Sequence, residues 1–317
     1  MSIYRDKVQW HQESVEAYRK PRLNNLQKAM SLFFKRVGVK EGRYLEIGPG
    51  PGFFYANLPR RYSKLREDWI QLDRDEEYVN AARKKMPSGK YIIGTVHKMP
   101  FPKESFDVVC GFASFDAISY LHEAMEEVTR VLKPKGIFFN LSDFMPAYEP
   151  IAIELAERGY SVNPIFEYHE TGSNPFQITR DLVVFPGDNE LSESARNEIT
   201  EAYLNAIKGC TLIETEFKWE GIKSESAVLD KNRKALEKLN GVRKKYAIPI
   251  DIYQYFYEKI KQELESDYTD IKTGLVITGL GTDLLRYELT RPIFGLLSRL
   301  HNPNIALVNY VAAKKKS

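Results

Sequence analysis

Cysteine, histidine and long apolar runs are scarce in this 317-residue sequence. Its two cysteines, Cys110 and Cys210, are too few for a disulfide framework or a four-ligand metal cage, and its five histidines show no metal-binding spacing. No stretch reaches the ~18 apolar residues of a membrane-spanning helix, and the N-terminal segment is charged and lacks an apolar signal region. We therefore expect a soluble, cytoplasmic protein that holds no metal and does not associate with a membrane.

An excess of one charge sign is also absent. Lys and Arg number 46 against 43 Asp and Glu, so the net charge is only +3. A dedicated nucleic-acid binder usually carries a basic stripe, whereas the one run of three lysines here is Lys314–Lys316 near the C-terminal end. The apolar share of 43% is ordinary for a globular protein, and the length allows one large core or two smaller ones. We expect no nucleic-acid partner.

The most informative segment, residues 44–52, reads YLEIGPGPG. It is typical of a short buried strand that runs into a glycine-rich turn, and a helix pattern begins at Phe53. Glycines let a backbone turn sharply and approach a ligand closely, and a strand, a glycine turn and a helix start form the nucleotide crevice of an open α/β sheet. The spacing E-x-G-x-G-x-G differs from a dinucleotide-binding turn, and two prolines remove N–H donors that a pyrophosphate would use. The pattern indicates a nucleoside ligand without a phosphate chain.

Four further segments follow this turn. A second strand at residues 69–72 ends at Asp73, about twenty residues after the last glycine. The segments that follow read YIIGTVHKMPF from residue 91, FDVVCG from residue 106 and EVTRVLKPKGIFF from residue 127. With the glycine turn they resemble, in order and over roughly residues 40–142, the motifs of the class I S-adenosylmethionine-dependent methyltransferases. The last segment is similar to the E-x-x-R-V-L-K-P-G-G of the small-molecule branch.

This resemblance implies a fold, a cofactor and a set of contacts. The implied fold is an α/β, Rossmann-like, doubly wound sheet of seven strands, and the implied cofactor is S-adenosyl-L-methionine. In the family an acidic residue in the place of Asp73 binds both ribose hydroxyls, and a carboxylate can accept two hydrogen bonds side by side. Thr95 stands where many relatives carry an aspartate that accepts from the adenine amine, so we expect adenine to use backbone groups of Thr95 and Val96. The other expected cofactor contacts are Glu46, Gly48, Pro49, Gly50, Gly52, Gly111 and Tyr18.

The N-terminal and C-terminal parts extend this core. A helix is predicted at 22–37, and the segment before it contains Tyr18. In the family the segment before this helix often folds over the cofactor as a lid. The alternative is a surface helix with ordinary aromatic anchors. After residue 143 the alternation of strands and helices is lost, and aromatic-rich inserts predict either a cap over the acceptor or a second hydrophobic core. The predicted regions are a core with lid helices at 1–143, an insert at 144–191, a core helix and strand at 192–219, a mainly helical insert at 220–300, and the last core strand and tail at 301–317. The helices expected in the second insert are at about 226–240, 250–264 and 283–299.

No single catalytic motif is expected. Methyl transfer from a sulfonium is an in-line displacement in which the protein mainly holds the reactants in line, and a base matters only for a hydroxyl or a protonated amine. Asp116, Asp143 and His122 are candidates because they follow strands at the edge where such sites lie, and His169 is a candidate if the first insert covers the pocket. The alternatives are a helix cap or turn for the aspartates and a solvated surface position for the histidines.

Several functions are compatible with these patterns. We expect an enzyme, an S-adenosylmethionine-dependent methyltransferase that O- or N-methylates a small molecule under an aromatic cap. A peptide, protein or nucleic-acid methyltransferase and a non-catalytic S-adenosylmethionine-binding module are the alternatives. The segment Gly111–Ser114 lacks the D/N-P-P-Y/F of enzymes that methylate base amines, and the intact glycines, Glu46 and Asp73 count against a non-catalytic module.

Overall fold

The computed structural model describes residues 19–20, 23–142, 149–157, 161–169, 176–185, 192–209, 248–278 and 306–317, with isolated positions between 234 and 245. The chain divides into two compact units. The first comprises residues 1–147 and 253–317, and the second comprises residues 148–252.

The described chain alternates strands and helices in its first half. The strands are β1 (Tyr44–Ile47), β2 (Trp69–Asp73), β3 (Lys90–Ile93), β4 (Phe106–Phe112), β5 (Leu132–Ser142), β6 (Ser161–His169), β7 (Phe176–Phe185), β8 (Ile248–Asp251), β9 (Tyr268–Thr278) and β10 (Ala306–Lys315). The helices are α1 (Leu23–Val37), α2 (Phe53–Ala56), α3 (Glu76–Lys85), α4 (Leu121–Val131), α5 (Glu149–Glu157), α6 (Glu193–Gly209) and α7 (Ile252–Glu265). Short 3₁₀ segments occupy Arg60–Asp68 and Phe115–Ala117.

The first unit is built on a seven-stranded sheet in the order β3-β2-β1-β4-β5-β10-β9. The five strands from β3 to β5 run parallel to their neighbours, whereas β10 is antiparallel to both β5 and β9. The chain moves outward from β1 to β3 on one side and then returns to place β4 on the other side of β1. This reversal is the switch point at which open α/β sheets bind ligands. The predicted seven-stranded, Rossmann-like sheet is confirmed.

Helices cover both faces of this sheet. On one face, Phe33 of α1 is fully buried, with its ring centroid 5.1 Å from those of Phe139 and Tyr310. On the other face, apolar residues of α4 and α7 pack in one cluster with Leu45 and Ile47 of β1. Because both faces are covered, β1 and β2 are buried along their whole length, as continuous apolar strands of parallel sheets require.

The second unit, described by itself, contains a three-stranded antiparallel sheet in the order β6-β7-β8, together with α5 and α6. We expected α6 to belong to the core, whereas it lies within the second unit. No strands were predicted in the insert at 144–191, where β6 and β7 occur. Alternating apolar patterns do not reveal which sheet a segment joins, because strand pairing is a long-range contact.

The C-terminal region also differs from its prediction. Residues 220–300 were expected to form a mainly helical insert, but β9 within them pairs with β10 at the edge of the main sheet. The helix predicted at 250–264 corresponds to α7, and the last core strand predicted within residues 301–317 corresponds to β10. The core strand expected after α6, within the region 192–219, and the helix expected at 283–299 lie outside the described residues.

One turn holds a lysine in a backbone conformation that favours glycine. Lys135 has φ of 63°, and it stands where the methyltransferase motif K-P-G-G carries its first glycine. A side chain in the left-handed region costs roughly 1–2 kcal/mol, and the greater freedom of glycine in the unfolded chain offsets part of that. We expect Lys135→Gly to raise the free energy of unfolding by about 0.5–1 kcal/mol, measured by urea denaturation.

The matched control is Lys40→Gly. Lys40 is also exposed, but it is not among the residues with positive φ, so glycine there adds only unfolded-state freedom. The free energy of unfolding of Lys40→Gly should fall slightly. A loss of stability in Lys135→Gly would mean that contacts of the lysine side chain outweigh the backbone strain.

Candidate functional site

The glycine turn after β1 depends on three left-handed residues. Gly48, Gly50 and Gly52 have φ of 62°, 54° and 77°. The amide of Gly48 donates to the carbonyl of Leu72 at 2.9 Å, which fixes the start of the turn beside the end of β2. A Cβ on Gly48 would lie 2.9 Å from the Cβ of Ser114, so the turn also packs closely against the segment after β4. The turn therefore excludes side chains on both backbone and steric grounds.

Asp73, at the end of β2, holds this turn. Its Oδ2 accepts from the amide of Gly50 at 3.0 Å, and its Oδ1 accepts from the amide of Asp75 at 3.0 Å. The side chain is only slightly exposed; burial raises the pKa of Asp73, and the two amide donors oppose that rise. Each carboxylate oxygen can accept a second hydrogen bond. The site thus presents an acceptor pair with capacity left for ligand hydroxyls.

Glu46 points away from the turn and into the core. The residue is fully buried, and its Oε2 accepts from the indole Nε1 of Trp69 at 3.0 Å. Its Oε1 has no hydrogen-bond partner among the described residues. Burial raises the pKa of Glu46 to about 8, against the opposing effect of the Trp69 hydrogen bond. The structure therefore gives Glu46 a contact within the core, and its predicted contact with the cofactor stays a prediction.

The buried Glu46 carboxyl should make stability depend on pH. Its pKa is raised from 4.5 to about 8, so the folded chain keeps a proton that the unfolded chain loses between these values. The free energy of unfolding should then fall as pH rises through this window, by up to about 1.4 kcal/mol per pH unit. Glu46→Gln keeps an acceptor for Trp69 without a titrating proton, so we expect it to flatten this dependence.

Urea unfolding of both proteins between pH 5 and pH 8 measures this effect. Glu41→Gln, a change at an exposed glutamate, is the control and should follow the wild-type curve. Parallel curves for wild type and Glu46→Gln would show that Glu46 is ionised in the folded protein throughout the range.

The turn after β3 is organised by a histidine that was not among the predicted site residues. The amide of Gly94 donates to the carbonyl of Asp73 at 2.9 Å, which brings this turn to the end of β2. The hydroxyl of Thr95 lies 3.1 Å from Nδ1 of His97, and Nε2 of His97 lies 2.8 Å from the carbonyl of Ser119. Val96 is buried in the core. Sequence offered no signal for His97 beyond its position in the motif.

The segment after β4 places buried polar groups at the carboxyl edge of the sheet. Asp116 is buried in the short 3₁₀ segment, and its Oδ2 accepts a long hydrogen bond of 3.4 Å from the hydroxyl of Ser142 at the end of β5. Gly111 permits this packing, because a Cβ there would lie 2.2 Å from Oγ of Ser114. The side-chain amide of Asn140 is fully buried, and neither its nitrogen nor its oxygen has a hydrogen-bond partner among the described residues. In the sequence, Asn140 stands out only as one polar residue inside an apolar strand.

The remaining predicted residues are His122, His169, Asp143 and Tyr18. His122 is 65% exposed on α4, and its Nδ1 lies 2.7 Å from Oε2 of Glu263. That hydrogen bond raises the pKa of His122. His169 lies in β6 of the second unit, and its side chain is outside the described part of the chain. Asp143 and Tyr18 also lie outside the described residues, so their roles stay predictions.

Comparisons with known proteins identify the central region. Residues 45–140 match the family model described as the methyltransferase domain. An uncharacterized methyltransferase from Bacillus subtilis is 28% identical over 141 residues, which cover 42% of this chain and 54% of that protein. A demethylmenaquinone methyltransferase from Thermotoga maritima is 30% identical over 98 residues, which cover 31% of this chain and 42% of that protein. The chain thus spans about half the length of these relatives.

A crystal structure of a possible histamine N-methyltransferase from Thermotoga maritima aligns over 99% of both chains at 13% identity, with a TM-score of 0.43. Such a score does not by itself establish a shared fold. The matched family model, the sheet order and the glycine turn agree with one another, and they support a class I S-adenosylmethionine-dependent methyltransferase domain over residues 45–140. Within the described residues, no helix is both long and apolar enough to cross a membrane.

Proposed function

We propose that this protein transfers a methyl group from S-adenosylmethionine to an oxygen or nitrogen of a small molecule. The hydrogen bond from Gly50 to Asp73 carries the proposal. It places the two hydrogen-bond-accepting oxygens of the Asp73 carboxylate beside the glycine turn, at the switch point of the sheet. A nucleoside offers two neighbouring hydroxyl donors to such a carboxylate. Pro49 and Pro51 leave the turn with fewer N–H donors than a phosphate chain requires, which favours a nucleoside without phosphates.

The residues that would hold the cofactor lie along the ends of neighbouring strands. We assign the ribose hydroxyls to Asp73 and the close backbone approach to Gly48, Gly50 and Gly52. Adenine is assigned to the backbone of Thr95 and Val96, since the Thr95 hydroxyl already contacts His97. When bound, the cofactor supplies the electrophilic methyl group, so the protein need only align the acceptor and exclude water.

An acceptor hydroxyl or ammonium group also needs a proton acceptor. Asp116 suits this role best among the candidates, since it is buried at the carboxyl edge and accepts from Ser142. Asp143 and His169 remain candidates. His122 is less suited, because its imidazole is already paired with Glu263 on the protein surface.

A small acceptor is supported by the relatives and by the size of the second unit. Relatives include a demethylmenaquinone methyltransferase and a fatty-acid O-methyltransferase from Mycolicibacterium smegmatis, the latter 28% identical over 46% of this chain and 52% of that protein. The names of these two relatives indicate small-molecule acceptors. We assign acceptor selection to residues 148–252, which exceed a minimal methyltransferase core and carry several tyrosines and phenylalanines.

The assignment of the second unit predicts the kinetics of one variant. Tyr168→Ala should raise the KM of the acceptor at least threefold and leave the KM of S-adenosylmethionine unchanged, because an aromatic ring contributes apolar contact to an acceptor pocket (about 0.7 kcal/mol or more). Both constants and the melting temperature should be measured on the same protein. A lower melting temperature with an unchanged acceptor KM would instead make Tyr168 part of a hydrophobic core.

Calorimetry followed by an activity screen tests the proposed function. The purified chain should bind S-adenosylmethionine and S-adenosylhomocysteine. Production of S-adenosylhomocysteine should then be followed with demethylated quinols, fatty acids and small amines as acceptors, and with peptides and RNA for comparison. Turnover only with peptides or RNA would replace the small-molecule proposal, and absence of cofactor binding would reject the enzyme assignment.

A further inference from the structure

His97 joins two parts of the site that are far apart in sequence. The first is the turn after β3, which contains Thr95. The second is the segment after β4, residues 113–120, which we call the acceptor loop. Because a carbonyl oxygen can only accept, Nε2 of His97 must carry the hydrogen of the 2.8 Å bond to Ser119. In neutral imidazole Nδ1 then accepts, and the Thr95 hydroxyl donates to it across 3.1 Å.

The acceptor loop needs anchors because its backbone is strained. Ala113 and Tyr120, at its two ends, have φ of 51° and 53°, a conformation that costs roughly 1–2 kcal/mol for a residue with a side chain. At the first end, the amide of Ala113 donates to the carbonyl of Leu141 at 2.7 Å. Near the second end, Ser119 receives the hydrogen bond from His97. Both ends are thus held by residues outside the loop.

The loop carries the groups that the proposed reaction uses. Asp116, the candidate proton acceptor, is buried within it, and Ser114 packs against the position of Gly48 in the cofactor turn. A shift of the Ser119 end would move both groups. The same histidine contacts Thr95, which the proposed function places beside adenine.

We propose that His97 is a positioning residue that transmits cofactor binding at the turn after β3 to the acceptor loop. Adenine bound against Thr95 restricts this turn, and the hydrogen bond from His97 to Ser119 passes that restriction to residues 113–120. Cofactor binding therefore prepares the loop that orients the acceptor. The inference rests on the proposed function, since it requires a nucleoside beside Thr95.

Hydrogen exchange measured with and without S-adenosylhomocysteine tests this coupling without a known acceptor. In wild type, saturating S-adenosylhomocysteine should slow amide exchange in residues 113–120 about fivefold or more, the low end of usual coupling between sites.

Two variants of His97 separate the two hydrogen bonds of its imidazole. The side-chain nitrogen of Gln lies near the position of Nε2, and His97→Gln keeps a donor toward Ser119. The amide of Asn reaches only the position of Nδ1, and His97→Asn keeps the contact with Thr95 alone.

We expect protection of the acceptor loop in His97→Gln and its loss in His97→Asn, although both variants bind S-adenosylhomocysteine. Thr129→Val removes a threonine hydroxyl that lies 2.9 Å from the hydroxyl of Tyr268, and it should keep the protection. Equal protection in wild type, His97→Gln and His97→Asn would overturn the inference, as would its loss in both variants or its absence in wild type despite binding. A wild-type protein that does not bind S-adenosylhomocysteine would instead reject the proposed function.

Discussion

Asp73→Ala should lower the affinity for S-adenosylmethionine at least tenfold. The change removes the carboxylate to which we assign the ribose, and it also releases the amides of Gly50 and Asp75. A hydrogen bond with a charged partner contributes about 1.5–3 kcal/mol, and about 1.4 kcal/mol corresponds to a tenfold change in the dissociation constant. Titration calorimetry with S-adenosylmethionine and S-adenosylhomocysteine measures the loss for both forms of the cofactor.

Asp68→Ala is the matched control for this change. Asp68 directly precedes β2, is half exposed and forms a surface ion pair of 3.2 Å with Lys90, so its removal should leave cofactor affinity unchanged. Asp73→Asn should fall between wild type and Asp73→Ala, because the amide keeps one acceptor oxygen but loses the charge. If Asp73→Ala binds as wild type does, the ribose does not lie at the end of β2.

Gly50→Val should abolish detectable binding of S-adenosylmethionine while the fold persists. Gly50 has φ of 54°, and a β-branched residue in this region is strained by its Cβ. The backbone of the turn would have to change, which would break the 3.0 Å hydrogen bond to Asp73 and place a branched side chain where the ligand must approach. Calorimetry measures the binding, and circular dichroism with thermal unfolding measures the fold.

Gly38→Val separates the loss of the site from the cost of strain. Gly38 ends α1 with φ of 75°, and a Cβ there would meet nothing within 4 Å. The same substitution therefore introduces comparable strain at a distance from the glycine turn. Gly38→Val should lose stability and still bind the cofactor. Loss of binding in both variants would indicate a general loss of structure, whereas micromolar binding by Gly50→Val would refute the placement of the cofactor.

Features set by residues close in sequence could be predicted. Helix α1, the strand β2 that ends at Asp73, and the glycine turn follow from apolar periodicity and from backbone freedom within a few residues. The five motifs occur in order along roughly a hundred residues. Their order therefore predicted the strands of the parallel part of the sheet. Asp116 was expected at the carboxyl edge because it follows β4; it lies in the 3₁₀ segment Phe115–Ala117 directly after that strand, and its catalytic role stays a prediction.

Features set by contacts between distant residues were missed. The strand β9 was not expected, because its place beside β10 depends on pairing and not on a local pattern. The hydrogen bond between Glu46 and Trp69 joins residues 23 positions apart and was not expected, whereas the predicted contact of Glu46 with the cofactor stays a prediction. The contact of His97 with Ser119 joins residues 22 positions apart through a carbonyl that no sequence pattern reports.

The sequence by itself determined the resemblance of residues 40–142 to the methyltransferase motifs, the α/β sheet, and the turn and carboxylate that we assign to the cofactor, because each arises from residue type and short spacing. Only the tertiary structure decided the direction of Glu46, the membership of β9 in the main sheet, and the link from His97 to the acceptor loop. The physical reason is that burial, strand pairing and hydrogen bonds across loops depend on which distant segments meet. Short sequence patterns do not specify these contacts, because each contact forms only when distant segments come together in the folded sheet.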